Sequence, residues 1–141
     1  MLFPNNNTFR PHIEGASTSL SNGGVGDGNW HHLVWTRTGT NLSYYVDGAF
    51  VQCGNAGGSG ALDINPTGLI IGQEQDALGG GFDANQAWDG LLDELTIFDS
   101  ALPLSEITEI FNQQNAGNNY DGSARSCPIP ITTAILDYRF D

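Results

Sequence analysis

Positive charge is what this sequence most plainly lacks. It contains no lysine, four arginines (Arg10, Arg37, Arg125, Arg139) and three histidines, against 16 acidic residues, for a formal net charge of −12 over 141 residues. From residue 38 to residue 124 there is no Lys, Arg or His, while twelve carboxylates fall in the same span. No salt bridge can form within that segment. Nucleic acid is excluded as a natural partner, because phosphate contacts demand a basic surface. A plain anionic membrane is excluded on the same ground.

Long apolar runs are also missing. None approaches the roughly 20 residues needed to cross a bilayer, and Met1-Leu2-Phe3-Pro4 has neither the charged region nor the apolar region of an export signal. Two cysteines, Cys53 and Cys127, are too few for a disulfide-built scaffold and match no metal motif. A bridge between them, free thiols, and pairing outside this sequence all remain open. There is no long amphipathic helical pattern either. With 19 glycines and 10% aromatics, the composition points to one all-β domain with long loops.

Residues 2–29 are polar and rich in Asn, Gly and Ser, with a weak strand expected over 9–13. Residues 30–37 (WHHLVWTR) and 42–46 (LSYYV) read as strands by aromatic and branched content. Asp47-Gly48 is a hairpin signal, which makes residues 49–53 the returning strand. Apolar runs at 68–72 and 91–98 read as two further strands. Ser105 is the expected N-cap of one short helix, with Glu106 in its first turn and Ile107, Ile110 and Phe111 on one face. Residues 112–119 are expected to dissolve into a polar linker. Residues 134–140 (AILDYRF) alternate like a half-buried strand.

The acidic residues gather between the two apolar runs. Residues 72–90 read GQEQDALGGGFDANQAWDG, with Glu74, Gln75, Asp76, Asp83, Asn85, Gln86 and Asp89 as oxygen donors and four glycines from Gly72 to Gly81. Carboxylates in one loop repel by about 1 kcal/mol per pair at 4 Å in water, and by more where water is excluded. They must therefore diverge into solvent or be held by a cation. Calcium suits such a loop, since it takes oxygens from carboxylates, amides and main-chain carbonyls in flexible geometry.

The order WHHLVWTR, YYVDG, GLIIGQEQD, FDANQAWDGLLDELTIFDSALPLSEI resembles the laminin-G and pentraxin domains, which share the concanavalin A-like lectin/glucanase fold. The likeness covers residues 29–111. It implies an antiparallel jelly-roll β-sandwich with one short helix, here truncated at its N-terminal side. It also implies Ca2+ ligands: side chains at Glu74, Asp76, Gln86 and Asp83, and the main-chain carbonyl of Gln75. Geometry agrees, since residues i and i+2 at a strand end share a face, which lets Glu74 and Asp76 converge. Two features depart from the family. The early Asp-Asn pair that completes the pentraxin site has no counterpart unless Asn5, Asn6 or Asn7 supplies one, and Leu33-Val34-Trp35 stands where a cysteine is expected.

Residues 134–141 (AILDYRFD) resemble the opening strand of laminin-G-like repeats in bacterial surface proteins, including MSHA-pilus biogenesis proteins. The expected organisation is a jelly roll over 1–114, a linker over 115–133, and a strand over 134–141 that either closes this sheet or opens a second domain.

His31 and His32 cannot share one ion, because adjacent strand residues face opposite sides of a sheet. Trp30, Trp35, Tyr44 and Tyr45 form either a sugar-stacking platform or, for at least half of them, the core. Trp88 and Asn85 lie at the loop's end as candidate ligand contacts, with the Trp88 indole either stacking on a ligand or buried under the loop. On a strand, Asp93 and Glu94 would point to opposite faces and so could not flank a glycosidic bond. The resulting expectation is a calcium-dependent, non-catalytic binding or adhesion module of an extracellular, cell-surface or periplasmic protein. It would take carbohydrate or another oxygen-rich ligand and sit beside other domains, without entering a membrane. The alternatives are a structural spacer and, less favoured, a glycoside hydrolase of the same fold.

Overall fold

The computed structural model describes residues 24–56, 60–61, 69–72, 76–77 and 79–126, apart from the Gln86 side chain, together with the backbone of four two-residue strands before residue 24. Those strands pair antiparallel: β1 (Leu2–Phe3) with β2 (Thr8–Phe9), and β3 (His12–Ile13) with β4 (Ala16–Ser17). The strand expected over 9–13 is thus divided between two small hairpins.

A three-stranded antiparallel meander forms the centre, from β5 (Leu33–Thr38) through β6 (Asn41–Val46) to β7 (Ala49–Asn55). Asp47 and Gly48 have φ of 50° and 75°, the two positive values that a type I′ hairpin requires. The Asp-Gly signal therefore means what the sequence implies. On one face Leu42, Tyr44 and Ala56 are buried, with Leu33, Trp35, Val46 and Val51 packed against them. Trp35 stacks on Tyr44, its register partner, with ring centroids 5.6 Å apart. Fully burying Leu42 contributes on the order of 1.5–3 kcal/mol.

Tyr45 is buried too, with its ring edge-on to Phe50, so the sheet is covered there on both faces. A register shift between Tyr44 and Tyr45 accompanies this double burial. Trp30 remains 66% exposed, so the four aromatics divide between core and surface.

The helix, α1 (Leu104–Asn115), begins two residues earlier than expected. Pro103, not Ser105, is its N-cap, and its carbonyl accepts from the N–H groups of both Glu106 and Ile107. Proline's preset φ makes the helical entry without a side-chain cap. Asn112 lies inside the helix, which stops at Gly117 (φ 83°). There the Asn118 N–H donates to Gln113 O at 2.9 Å and the Gly117 N–H to Gln114 O at 3.0 Å, the paired bonds of a Schellman motif. Ile107 and Ile110 are buried, and Thr108 Oγ1 donates to Gly48 O at 2.8 Å. The helix therefore rests on the β6–β7 turn.

Beyond the helix the chain folds back in hydrogen-bonded turns and does not run out as an open linker. Asn118 bridges Ala124, and Asp121 Oδ1 accepts from the Ser123 N–H at 2.9 Å. Arg125 then reaches Asp93 Oδ2 at 3.1 Å and Glu94 Oε1 at 2.9 Å. Residues 69–72 and 91–98 are not strands. Among the described residues nothing pairs with 91–98, and Glu94 breaks the extended path with φ of 51°. Asp93 and Glu94 accordingly do not diverge as strand neighbours would, and both meet one guanidinium. Cys53 is exposed and free, while Cys127 and the alternating stretch 134–140 lie outside the described residues.

Candidate functional site

The acidic loop is closed at its base by main chain. The Trp88 N–H donates to Gly72 O at 2.7 Å, where Gly72 adopts φ of 82°. The Trp88 indole is half-buried over Gly90, since a Cβ on that glycine would stand 3.1 Å from Nε1.

Inside the loop, Ala77 and Gly80 exchange main-chain hydrogen bonds at 3.2 and 2.8 Å, which reverses the chain. Gly81 has φ of 70°, and a Cβ there would lie 2.9 Å from Asp76 Cβ and 3.1 Å from the Ala77 nitrogen. Only glycine fits, and its bare backbone lets Asp76 fold across the turn. Asp83 then caps a single 3-10 turn (Ala84–Gln86), its Oδ1 accepting from the Asn85 N–H and Nδ2, both at 2.9 Å.

The structure thus brings Asp76, Asp83, Asn85 and Trp88 into one closed loop. Gln86 sits on the 3-10 turn by its backbone, while Glu74 and Gln75 lie outside the described residues. Among the described residues no group of three or more His, Cys, Asp or Glu stands together to hold a metal. The donors that are described fit a hard cation. They are carboxylate and amide oxygens with no sulfur or imidazole, and the Gly81 cradle holds Asp76 against the turn. Arg125 is engaged by Asp93 and Glu94, and neither Asp76 nor Asp89 forms an ion pair among the described residues.

A second polar cluster has no forerunner in the sequence reading. His31 lies between two carboxylates, with Nδ1 2.9 Å from Asp47 Oδ2 and Nε2 3.1 Å from Asp27 Oδ1. Asp47 also accepts the His32 N–H at 2.9 Å through its other oxygen. The Asp47 hydrogen bond, seconded by Asp27, raises the His31 pKa, while bonds from Asn29 hold Asp27 down at about 2. His32, by contrast, is lowered by burial, its ring 6.0 Å from that of Phe111. The two histidines do separate jobs. Their different roles depend on Asp27 and Asp47 arriving from two loops, which no spacing rule reveals.

Residues 1–108 match the laminin-G family model of the Concanavalin A-like lectin/glucanases superfamily. The chain belongs to that superfamily. Human pentraxin-4 is 40% identical over 87 residues, covering 60% of this chain and 18% of the relative. Human neuronal pentraxin-1 is 44% identical over 92 residues, covering 59% of this chain and 20% of the relative. The chain therefore spans about a fifth of the length of these curated relatives. An S-layer domain-containing protein from Clostridium thermocellum aligns with a TM-score of 0.45 at 24% identity, over 60% of this chain and 40% of that one, a likeness too slight to argue from. As a concanavalin-like, laminin-G/pentraxin-like domain, the chain has the expected antiparallel sheet of three strands and one short helix.

Proposed function

We propose that this concanavalin-like domain is a non-catalytic module that binds calcium at residues 72–90 and recognises carbohydrate or another oxygen-rich ligand through the metal. The observation that carries the reading is the loop closed by the Trp88–Gly72 main-chain bond: Asp76 opens a main-chain-locked turn and Asp83 caps the 3-10 turn that follows, in a segment with no basic residue. Glu74, Asp76, Asp83 and Gln86 would hold the ion by side chain, and Gln75 by its carbonyl. Calcium supplies open coordination positions for ligand hydroxyls, with Asn85 and Trp88 at the border to orient what binds.

Asp93 and Glu94 support a non-enzymatic reading, because both are tied to the one Arg125 guanidinium. We place the domain in an extracellular or surface protein of several domains. The bacterial and pilus-assembly setting rests on the resemblance of residues 134–141. A spacer without its own ligand is the second reading. It is favoured by Asp83, whose Oδ1 already serves the Asn85 amides.

Calorimetric titration with calcium separates the two. The expected result is saturable heat in the parent and none in a Glu74→Gln/Asp76→Asn double variant. Equal titrations, or no heat in either, would support the spacer.

A further inference from the structure

His31 stands between two carboxylates supplied by different segments. Nδ1 is 2.9 Å from Asp47 Oδ2 on the β6–β7 turn, and Nε2 is 3.1 Å from Asp27 Oδ1 in the loop at 24–30. An ionised carboxylate only accepts hydrogen bonds, and a neutral imidazole has a single N–H to donate. Both contacts are hydrogen bonds only when both ring nitrogens carry protons. The arrangement is therefore built for an imidazolium.

The two jaws are not equally firm. Asp47 is anchored by main chain: its N–H donates to His32 O, and its Oδ1 accepts the His32 N–H, both at 2.9 Å. Its turn is held from the other side by Thr108 of α1, which donates to Gly48 O. Asp27 is 42% exposed, and its bonds from the Asn29 N–H and Nδ2, at 2.8 and 2.9 Å, lie within its own loop. A ring that loses one proton keeps its remaining N–H on the anchored Asp47. The bare Nε2 lone pair then faces the Asp27 oxygen, acceptor against acceptor, and Asp27 has water to turn to. The neighbours do not replace the lost charge. Burial disfavours the charged form of His32, the Tyr44 hydroxyl of β6 is pushed up to about 12 and stays neutral, and α1 brings the uncharged Thr108 and Phe111.

We propose that the Asp27–His31–Asp47 bridge is a proton-operated clasp, which holds residues 24–30 to the β6–β7 turn while the His31 ring carries both protons and releases them when it loses one. Nitrogen-15 magnetic resonance of the His31 ring and of the backbone amides in the full chain, from about pH 5.5 to about pH 9, tests this. The ring midpoint should lie above 6.5. The amides of Asp27, Gly28 and Asn29 should shift with that same midpoint and gain fast motion, while β7 and α1 keep their signals. In Asp27→Asn, whose amide can accept from one form of the ring and donate to the other, those loop amides should lose the pH-dependent shift. A ring midpoint at or below 6.5, loop amides that ignore the ring's titration in the parent, or a variant that titrates like the parent would each overturn the proposal. A transition shared equally by β7 and α1 would overturn it too, by making the change global.

Discussion

At the scale of single residues, the Asp27–His31–Asp47 cluster makes a claim about pH. His31 has its pKa raised above the ordinary 6.5, chiefly by the Asp47 hydrogen bond, so the folded state favours its charged form. Its contribution to stability is fully present below pH 6.5 and is lost as the pH rises through the raised value. His32 works in the opposite sense. Burial lowers its pKa, so its contribution is present above 6.5 and fades as the pH falls. Replacing His31 with Asn should therefore cost most on the acid side. In urea unfolding, the gap between parent and His31→Asn should shrink from about pH 6 to about pH 8. A gap independent of pH would show that His31 serves as a neutral hydrogen-bonding group.

At the scale of elements, the hairpin and the helix are locked together at Gly48. Its carbonyl accepts the Thr108 hydroxyl at 2.8 Å, and a Cβ there would stand 3.0 Å from Phe111 Cδ1, at a φ of 75°. Gly48→Ala combines left-handed strain with a clash against an aromatic ring. It should destabilise by about 1–3 kcal/mol in denaturant unfolding. A loss under about 0.5 kcal/mol, the range of ordinary surface substitutions, would mean that the helix does not press on this turn.

How far each element was legible follows from how local its causes are. The β5–β6–β7 meander could be read because Asp47-Gly48 and the aromatic strands carry their own instructions. The helix starts two residues before the position its sequence suggests, because Ser105 is the better side-chain cap while Pro103 fixes the backbone without one. Residues 91–98 have strand pattern but no strand, because pairing needs a non-local partner that periodicity cannot supply. The Gly81 cradle and the Gly72–Trp88 closure were hidden for the same reason. The sequence showed glycines and acids in one loop, but not which glycine gives way to Asp76.

At the scale of the whole molecule, charge is the organising fact. Twelve carboxylates fall between residues 38 and 124 without one basic residue, and Arg125 relieves only Asp93 and Glu94. A domain of this superfamily built in that way is expected to be held together partly by a cation that it does not encode. The loop at 72–90, closed by the Trp88–Gly72 main-chain bond, is the site proposed for it.

The most direct test is thermal unfolding of the full chain in chelator and in excess calcium. At a hundredfold excess over the dissociation constant, binding to the folded state alone adds about 2.7 kcal/mol, which raises Tm on the order of 5–10 °C. The account predicts that rise in the parent, and none in the Glu74→Gln/Asp76→Asn double variant. An unchanged Tm in the parent across saturating calcium would contradict it.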